Sequence, residues 1–243
     1  MSRDYFGEDV AARYDDPESE EFDPAEIEAT VDFLAELAGD GSALELGIGT
    51  GRIALPLHAR GIAVDGIDLS SAMVAQLHAK TGSHDIGVTI GDFAHTIVDG
   101  TFSLAYLVFN TIMNLTTQDE QVACFQNVAR HLDPGGYFVI EVLVPDLQRL
   151  APGETFRPFA VTPTHFGFDE FDVVTQSQIS HHYRNDDGRF DALEIPFRYV
   201  WPSELDLMAR LSGMSLVQRW ADWRRAPFTA TSAKHVSVWT LDD

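Results

Sequence analysis

Between two apolar runs the chain reads Ala43-Leu-Glu-Leu-Gly-Ile-Gly-Thr-Gly-Arg-Ile-Ala-Leu-Pro-Leu57, which places Gly47, Gly49 and Gly51 within five residues. A short apolar strand running into a glycine-rich turn and then a helix is the opening βα unit of a parallel sheet, and ligands of such sheets bind at that turn. Three ligand classes compete for it: a dinucleotide, a nucleoside triphosphate, and a nucleoside without phosphate. A phosphate-cradling loop needs a lysine straight after its last glycine, and the first lysine of this chain is Lys80. A dinucleotide fingerprint needs a third glycine at position 52, where the chain has Arg52. Glu45, two residues ahead of Gly47, is badly placed for a pyrophosphate and suits a ligand that carries an ammonium group.

The rest of the chain supplies the sheet. From Asp23 onward helix and strand signals alternate. Asp23-Pro24-Ala25-Glu26 reads as a capping box with proline at the first helical position. Strands are expected at residues 42–46, 63–67, 87–90, 101–109 and 137–144. Helices are expected at 50–59, after Ser70, and after a second capping box, Thr117-Gln118-Asp119-Glu120. Pro56 should kink the helix at 50–59, because it removes a donor and crowds the preceding turn. With two final strands at 215–223 and 235–241, the pattern predicts an α/β fold, a doubly wound, seven-stranded, mostly parallel sheet of Rossmann-like type. Residues 145–200 exceed what a minimal connection needs. They are read as a lid inserted in a single domain spanning 1–243, built on a β-hairpin with strands at 171–183 and 190–200.

Composition narrows the partners. The net charge is −22, from 38 acids against 16 bases. Such a surface repels phosphate backbones and anionic lipids, so no nucleic-acid or membrane partner is expected. No apolar run reaches a membrane-spanning length, and the acidic start lacks a secretory pattern, so a cytoplasmic location is expected. The lone cysteine, Cys124, excludes an intrachain disulfide and a cysteine metal cluster; it falls on an apolar helix face, and no metal site is expected. A homodimer is expected only because dimers are common.

Four motifs in order carry a resemblance to the class I S-adenosylmethionine-dependent methyltransferases. Glu45-x-Gly47-x-Gly49-x-Gly51 resembles their first motif. Gly66-Ile-Asp68-Leu69-Ser70 resembles the end of their second strand, where the acid accepts the ribose hydroxyls. Gly91-Asp92-Phe93 looks like their adenine-edge motif, and Asp133-Pro-Gly-Gly136 like the lead-in to their fifth strand. The resemblance implies S-adenosylmethionine as cofactor, with Met73 packed on the adenine. It places Tyr14, Glu45, Gly47, Gly49, Arg52, Asp68, Leu69, Met73, Asp92, Phe93 and Phe109 at the cofactor. Tyr14 would lie over it, and Arg52 would pair with its carboxylate. The hairpin region is similar in layout to glycine N-methyltransferases and to amino-sugar N-methyltransferases of antibiotic pathways.

The implied reaction is in-line methyl transfer to an N, O or C nucleophile of a small-molecule acceptor, which relies on alignment and water exclusion more than on acid or base. Two other readings remain open at this point: a protein that binds the cofactor without turnover, and an NAD-dependent oxidoreductase. Asn110, ending so apolar a strand, is a candidate to project at the methyl group. Glu141 and Asp146 flank the end of the fifth strand and are candidates to orient a substrate amine. Phe197, Tyr199 and Trp201 share a face by period two and form a candidate aromatic wall. His165, His181 and His182 are candidate bases; His181 and His182 must face opposite sides of a strand, so at most one points inward.

Overall fold

The computed structural model describes residues 4–15, 22–186 and 188–242. The elements that build the main sheet follow in chain order: α1 (Glu8–Ala11), α2 (Pro24–Ala38), β1 (Ala43–Leu46), α3 (Ala54–Ala59), β2 (Val64–Asp68), α4 (Ser71–His78), β3 (Gly87–Ile90), β4 (Phe102–Leu107), α5 (Gln118–His131) and β5 (Leu132–Leu143). A second set of strands follows, β6 (Phe156–Val161), β7 (His165–Asp172), β8 (Ser177–Asp186) and β9 (Arg189–Arg198). The chain closes with α6 (Pro202–Leu211), β10 (Met214–Trp220) and β11 (Lys234–Leu241).

The main sheet has seven strands in the order β10-β11-β5-β4-β1-β2-β3. β1 pairs in parallel with both β2 and β4, so the winding reverses between β1 and β4, while β11 is antiparallel to β5 and β10. This is the doubly wound fold that the alternating signals predict. Every residue of β1 is buried, as a strand covered on both faces requires. One apolar layer holds Leu46, Leu107, Phe125, Phe138 and Trp239 against α5 and α6; the other holds Leu34, Leu57, Leu77 and Tyr106 against α2, α3 and α4. Among the described residues no helix is long and apolar enough to cross a membrane.

Local chemistry sets several boundaries. The box at α5 closes as expected: Thr117 Oγ1 accepts from the Glu120 amide at 3.2 Å, and Glu120 Oε2 accepts from the Thr117 amide at 3.1 Å. At α2 only half of the box forms. Asp23 Oδ1 accepts from the Ala25 amide at 2.9 Å, but Glu26 pairs with Arg224 on the β10–β11 connection. The expected kink at Pro56 is absent because α3 starts at Ala54, later than the pattern suggests. Pro56 therefore lies in the first turn, where a missing donor costs nothing.

The inserted region is richer than a hairpin. β8 and β9 do form one, in register from Ser177↔Arg198 to Asp186↔Arg189. β7 and β6 extend it into a four-stranded antiparallel sheet, and the strand expected at 171–183 is broken at 173–176 into the end of β7 and the start of β8. Pro158 hid β6 from a reading by propensity; proline is tolerated there because β6 is an edge strand, with a bulge between Pro158 and Ala160.

Candidate active site

The carboxyl ends of β1, β2, β3 and β4 face a cavity of about 380 Å3. Its floor is the glycine turn. Gly47, Gly49 and Gly51 have φ of +71°, +55° and +78°, a region that side-chain-bearing residues avoid. They do different jobs. A Cβ on Gly51 would fall 2.0 Å from Leu77 Cδ1, and one on Gly47 would fall 2.6 Å from Thr111 Cγ2, so both positions let the turn pack on its neighbours. Gly49 lines the cavity, with Met73 Cε 3.4 Å from where its Cβ would be.

Asp68 ends β2 and locks the turn. Its Oδ2 accepts from the Gly49 amide at 2.7 Å and its Oδ1 from the Ser70 amide at 2.8 Å. Burial pushes its carboxyl above the ordinary carboxylate range, and those two amide bonds pull against the shift. Each carboxylate oxygen keeps a second lone pair for a hydroxyl donor. Ser70 caps α4 and also donates from Oγ to the Phe6 carbonyl at 2.6 Å, which holds the N-terminal segment over the cavity. Asp4, Tyr5 and Phe6 line the cavity from that segment; none carries a local sequence pattern, so the reading by motif passed over them. Tyr14 lines it too, edge-on to Phe6 and Phe22. The neighbouring Asp15 is fixed by Thr50 Oγ1 at 2.6 Å and by Lys80 Nζ at 2.6 Å.

Of the residues expected at the cofactor, Tyr14, Gly47, Gly49, Asp68, Leu69, Met73, Asp92, Phe93 and Phe109 line this cavity together. Two do not. Glu45 is 2% exposed and lies within the sheet, where Oε2 accepts from Tyr106 Oη at 2.9 Å. Burial drives its carboxyl up to about 8, with the Tyr106 bond and the Arg52 charge opposing. Arg52 lies over the rings of Phe109 and Phe22, at 5.4 and 5.7 Å, and lines a second cavity of about 630 Å3.

Phe109 and Asn110 line both cavities, and both have left-handed backbones, φ +53° and +62°. Each such non-glycine residue costs on the order of 1–3 kcal/mol and persists only where its surroundings impose it. Asn110 Oδ1 accepts from the Leu143 amide at 2.8 Å, so its carbonyl end is committed to β5. Glu141 lines the second cavity and accepts from the Phe109 amide at 3.1 Å and from Lys234 Nζ at 2.8 Å. Asp146 touches neither cavity; it pairs with Arg157 on β6 and with Arg149.

From the second sheet, His182, Ile195, Pro196 and Phe197 reach the first cavity. The alternation rule holds for the adjacent histidines, and it is His182, not His181, that faces in. His181 stacks on Phe168 and lies 3.2 Å from Glu170 Oε2. His165 stacks on His182, with Nε2 3.1 Å from His182 Nδ1, while His182 Nε2 lies 3.3 Å from Ser180 Oγ. Both nitrogens of His182 are thus engaged. Burial, then the charges of His165, Arg184 and His181, lowers its pKa to about 4, and burial lowers that of His165. Tyr199 is 2% exposed, packs edge-on to Phe171 and Trp201, and lines neither cavity, so the expected aromatic wall reduces to Phe197. The register that put Tyr199 and Trp201 on one face ends because β9 stops at Arg198.

The donor set decides the ligand class. The first cavity is lined by three carboxylates, from Asp4, Asp68 and Asp92, and by no lysine or arginine among the described residues. A pyrophosphate there would face uncompensated like charge. A nucleoside with ribose hydroxyls, a flat base and a positive centre suits this lining, which offers the carboxylate of Asp68, apolar surface from Met73, Leu69 and Phe93, and a negative field.

Residues 43–136 match a family model described as a methyltransferase domain. The chain is similar to the cypemycin N-terminal methyltransferase of Streptomyces sp, 27% identical over 203 residues that make up 80% of this chain and 81% of that one. Among solved structures it is similar to the CcbJ methyltransferase from Streptomyces caelestis, at 34% identity, TM-score 0.87 and 98% coverage of each chain. The S-adenosylmethionine-bound CalS10, an amino pentose methyltransferase from Micromonospora echinaspora, shares the fold at TM-score 0.72 and 19% identity over 99% of each chain.

Proposed function

Because this chain belongs to the class I S-adenosylmethionine-dependent methyltransferases, we propose that it methylates a nitrogen of a small molecule held beneath the second sheet. S-adenosylmethionine, its cofactor, supplies when bound a methyl group on a positive sulfur. The observation that carries the reading is the composition of the first cavity, where Asp68, Met73 and Asp92 meet Ile195, Pro196 and Phe197 around one space with no lysine or arginine among the described residues.

Asp68 would hold the ribose hydroxyls with the lone pairs left after its bonds to Gly49 and Ser70. Met73, Leu69 and Phe93 would enclose the base, and Asp92 would accept from its amino group. Residues 145–200 act as the lid: Ile195, Pro196 and Phe197 exclude water and hold the acceptor in line with the reacting carbon. A nitrogen acceptor is favoured over oxygen because, among the described residues, no imidazole in the cavity is free to ionise a hydroxyl. His182, the one imidazole there, has both nitrogens engaged and a lowered pKa. An amine that arrives as its free base needs no such group, and its surplus proton leaves to solvent. The carboxylates lining the cavity and the net charge of −22 draw cationic amines, each of which gives one proton to solvent before its nitrogen attacks. The relative named for methylation at an N-terminus is a further support.

The test is a panel of small amines matched with the corresponding alcohols, each incubated with the protein and S-adenosylmethionine, with methylated product read by mass spectrometry. Product from amines alone is expected. Product from alcohols alone would overturn the nitrogen assignment.

A further inference from the structure

Two successive left-handed residues, neither of them glycine, form the wall between the two cavities, and three hydrogen bonds to the end of one strand restrain them. The Phe109 amide donates to Glu141 Oε2 at 3.1 Å, the Asn110 amide donates to the Glu141 carbonyl at 3.2 Å, and the Leu143 amide donates to Asn110 Oδ1 at 2.8 Å. Glu141 is 9% exposed and its other oxygen is held by Lys234 Nζ at 2.8 Å, from the first residue of β11. Lys234 is one of only two lysines in the chain. On its far side the turn packs on the glycine loop, where Thr111 Cγ2 fills the space a Cβ on Gly47 would take.

We propose that Glu141 is a positioning residue: by accepting the Phe109 amide, with Lys234 as its counter-ion, it forces Phe109 and Asn110 into the left-handed conformation and so sets the wall against which the cofactor lies. Without that acceptor the part-buried Phe109 amide loses its partner and both residues gain by relaxing toward right-handed backbone. The glycine loop then loses its abutment at Thr111. The inference rests on the cofactor site described above, and concerns the side of it that neither Asp68 nor Asp92 reaches.

The experiment is calorimetry with S-adenosylhomocysteine on wild type, E141A, E141Q, K234M and the double variant E141A/N110G, alongside thermal melting and a crystal structure of E141A. We expect about a tenfold loss of affinity in E141A, and a loss within about threefold in E141Q and K234M, which keep an acceptor for the Phe109 amide. Glycine is at ease at φ +62° but gives up the acceptor of the Leu143 amide, so N110G added to E141A should recover part, and not all, of the lost affinity. A purely structural role gives a different pattern: glycine would loosen the turn further and rescue nothing. Unchanged affinity in E141A, an equal loss in E141Q, or no rescue by N110G would each overturn the proposal. If E141A does not fold, E141Q decides: a tenfold loss there means that charge pairing, and not amide acceptance, holds the wall. Failure of the wild type to bind S-adenosylhomocysteine would instead overturn the cofactor site itself.

Discussion

Arg198 and Glu204 form an ion pair of 2.7 Å between Nη2 and Oε1, with side chains only 5% and 13% exposed. It ties the end of β9 to α6. Gln121 extends it: its Oε1 accepts from Arg198 Nη1 at 2.5 Å, and its Nε2 donates to the carbonyls of Ile112, Leu115 and Arg198. Gln176 and Gln118 complete the set by donating to Glu204. The second sheet is therefore bolted to α5, α6 and the turn after β4 by a buried polar network.

Removing one partner leaves an uncompensated buried charge, so Arg198→Met should cost about 3–5 kcal/mol of stability, seen as a fall in melting temperature on the order of 10 °C. Glu204→Gln should cost less near its titration. Burial raises the Glu204 carboxyl, but bonds from Arg198, Gln176 and Gln118 outweigh it and hold the group below its ordinary value. A depressed acid contributes stability above its unfolded pKa and loses it as pH falls through the folded one. The melting curves of wild type and Glu204→Gln should accordingly converge as the pH is lowered below about 4. Curves that stay parallel well below that pH would show that Glu204 is not held ionised by this network.

Glu45 titrates in the opposite sense. Its folded pKa, about 8, lies above its unfolded value, so the unfolded chain binds fewer protons between the two and stability falls as pH rises across that window. Glu45→Gln should be more stable than wild type at pH 8 and nearly equal to it at pH 5. Because Glu45 sits beneath the cavity and not in it, the same variant should bind S-adenosylhomocysteine within about threefold of wild type, as expected for a side chain that makes no direct contact. A loss of a hundredfold in calorimetry would put Glu45 back at the cofactor.

Asp68→Ala should weaken S-adenosylhomocysteine by about 1–3 kcal/mol, because buried hydroxyls would lose their acceptor and the Gly49 and Ser70 amides would lose theirs. Unchanged affinity would mean that the nucleoside lies elsewhere.

The paired rings of His165 and His182 should make the second sheet acid-sensitive. The pKa of His182, about 4, lies below its unfolded value near 6.5, so the unfolded chain binds more protons in that interval and stability climbs as pH rises through it. His182→Phe should flatten the dependence of melting temperature on pH between about 4 and 6.5. Since His182 is neutral at pH 7, the turnover of the variant should show the same pH profile above 6.5 as wild type.

Spacing placed β1 through β5, the glycine turn and the caps of α4 and α5, because those features are local; the family resemblance added eleven residues, nine of which line the first cavity together. A cap needs its partner three residues away, and a βα turn needs its glycines in a fixed register. Side-chain alternation along a strand likewise showed that His181 and His182 face apart. What required the folded chain was everything made by residues far apart in sequence. Which of the two histidines faces inward depends on how β7 and β9 flank β8, and Tyr199 left the cavity because β9 ends one residue before it. Glu45 carries the right motif yet points into the sheet, where Tyr106, 61 positions on, completes its hydrogen bond. The wall at Phe109–Asn110 has no signature, since its left-handed turn is imposed by Glu141 and Leu143 from another strand and by Lys234 from a third. Sequence fixes what a residue can do within reach of its own backbone; only the packing of β4, β5 and β11 side by side decides which of those options is taken.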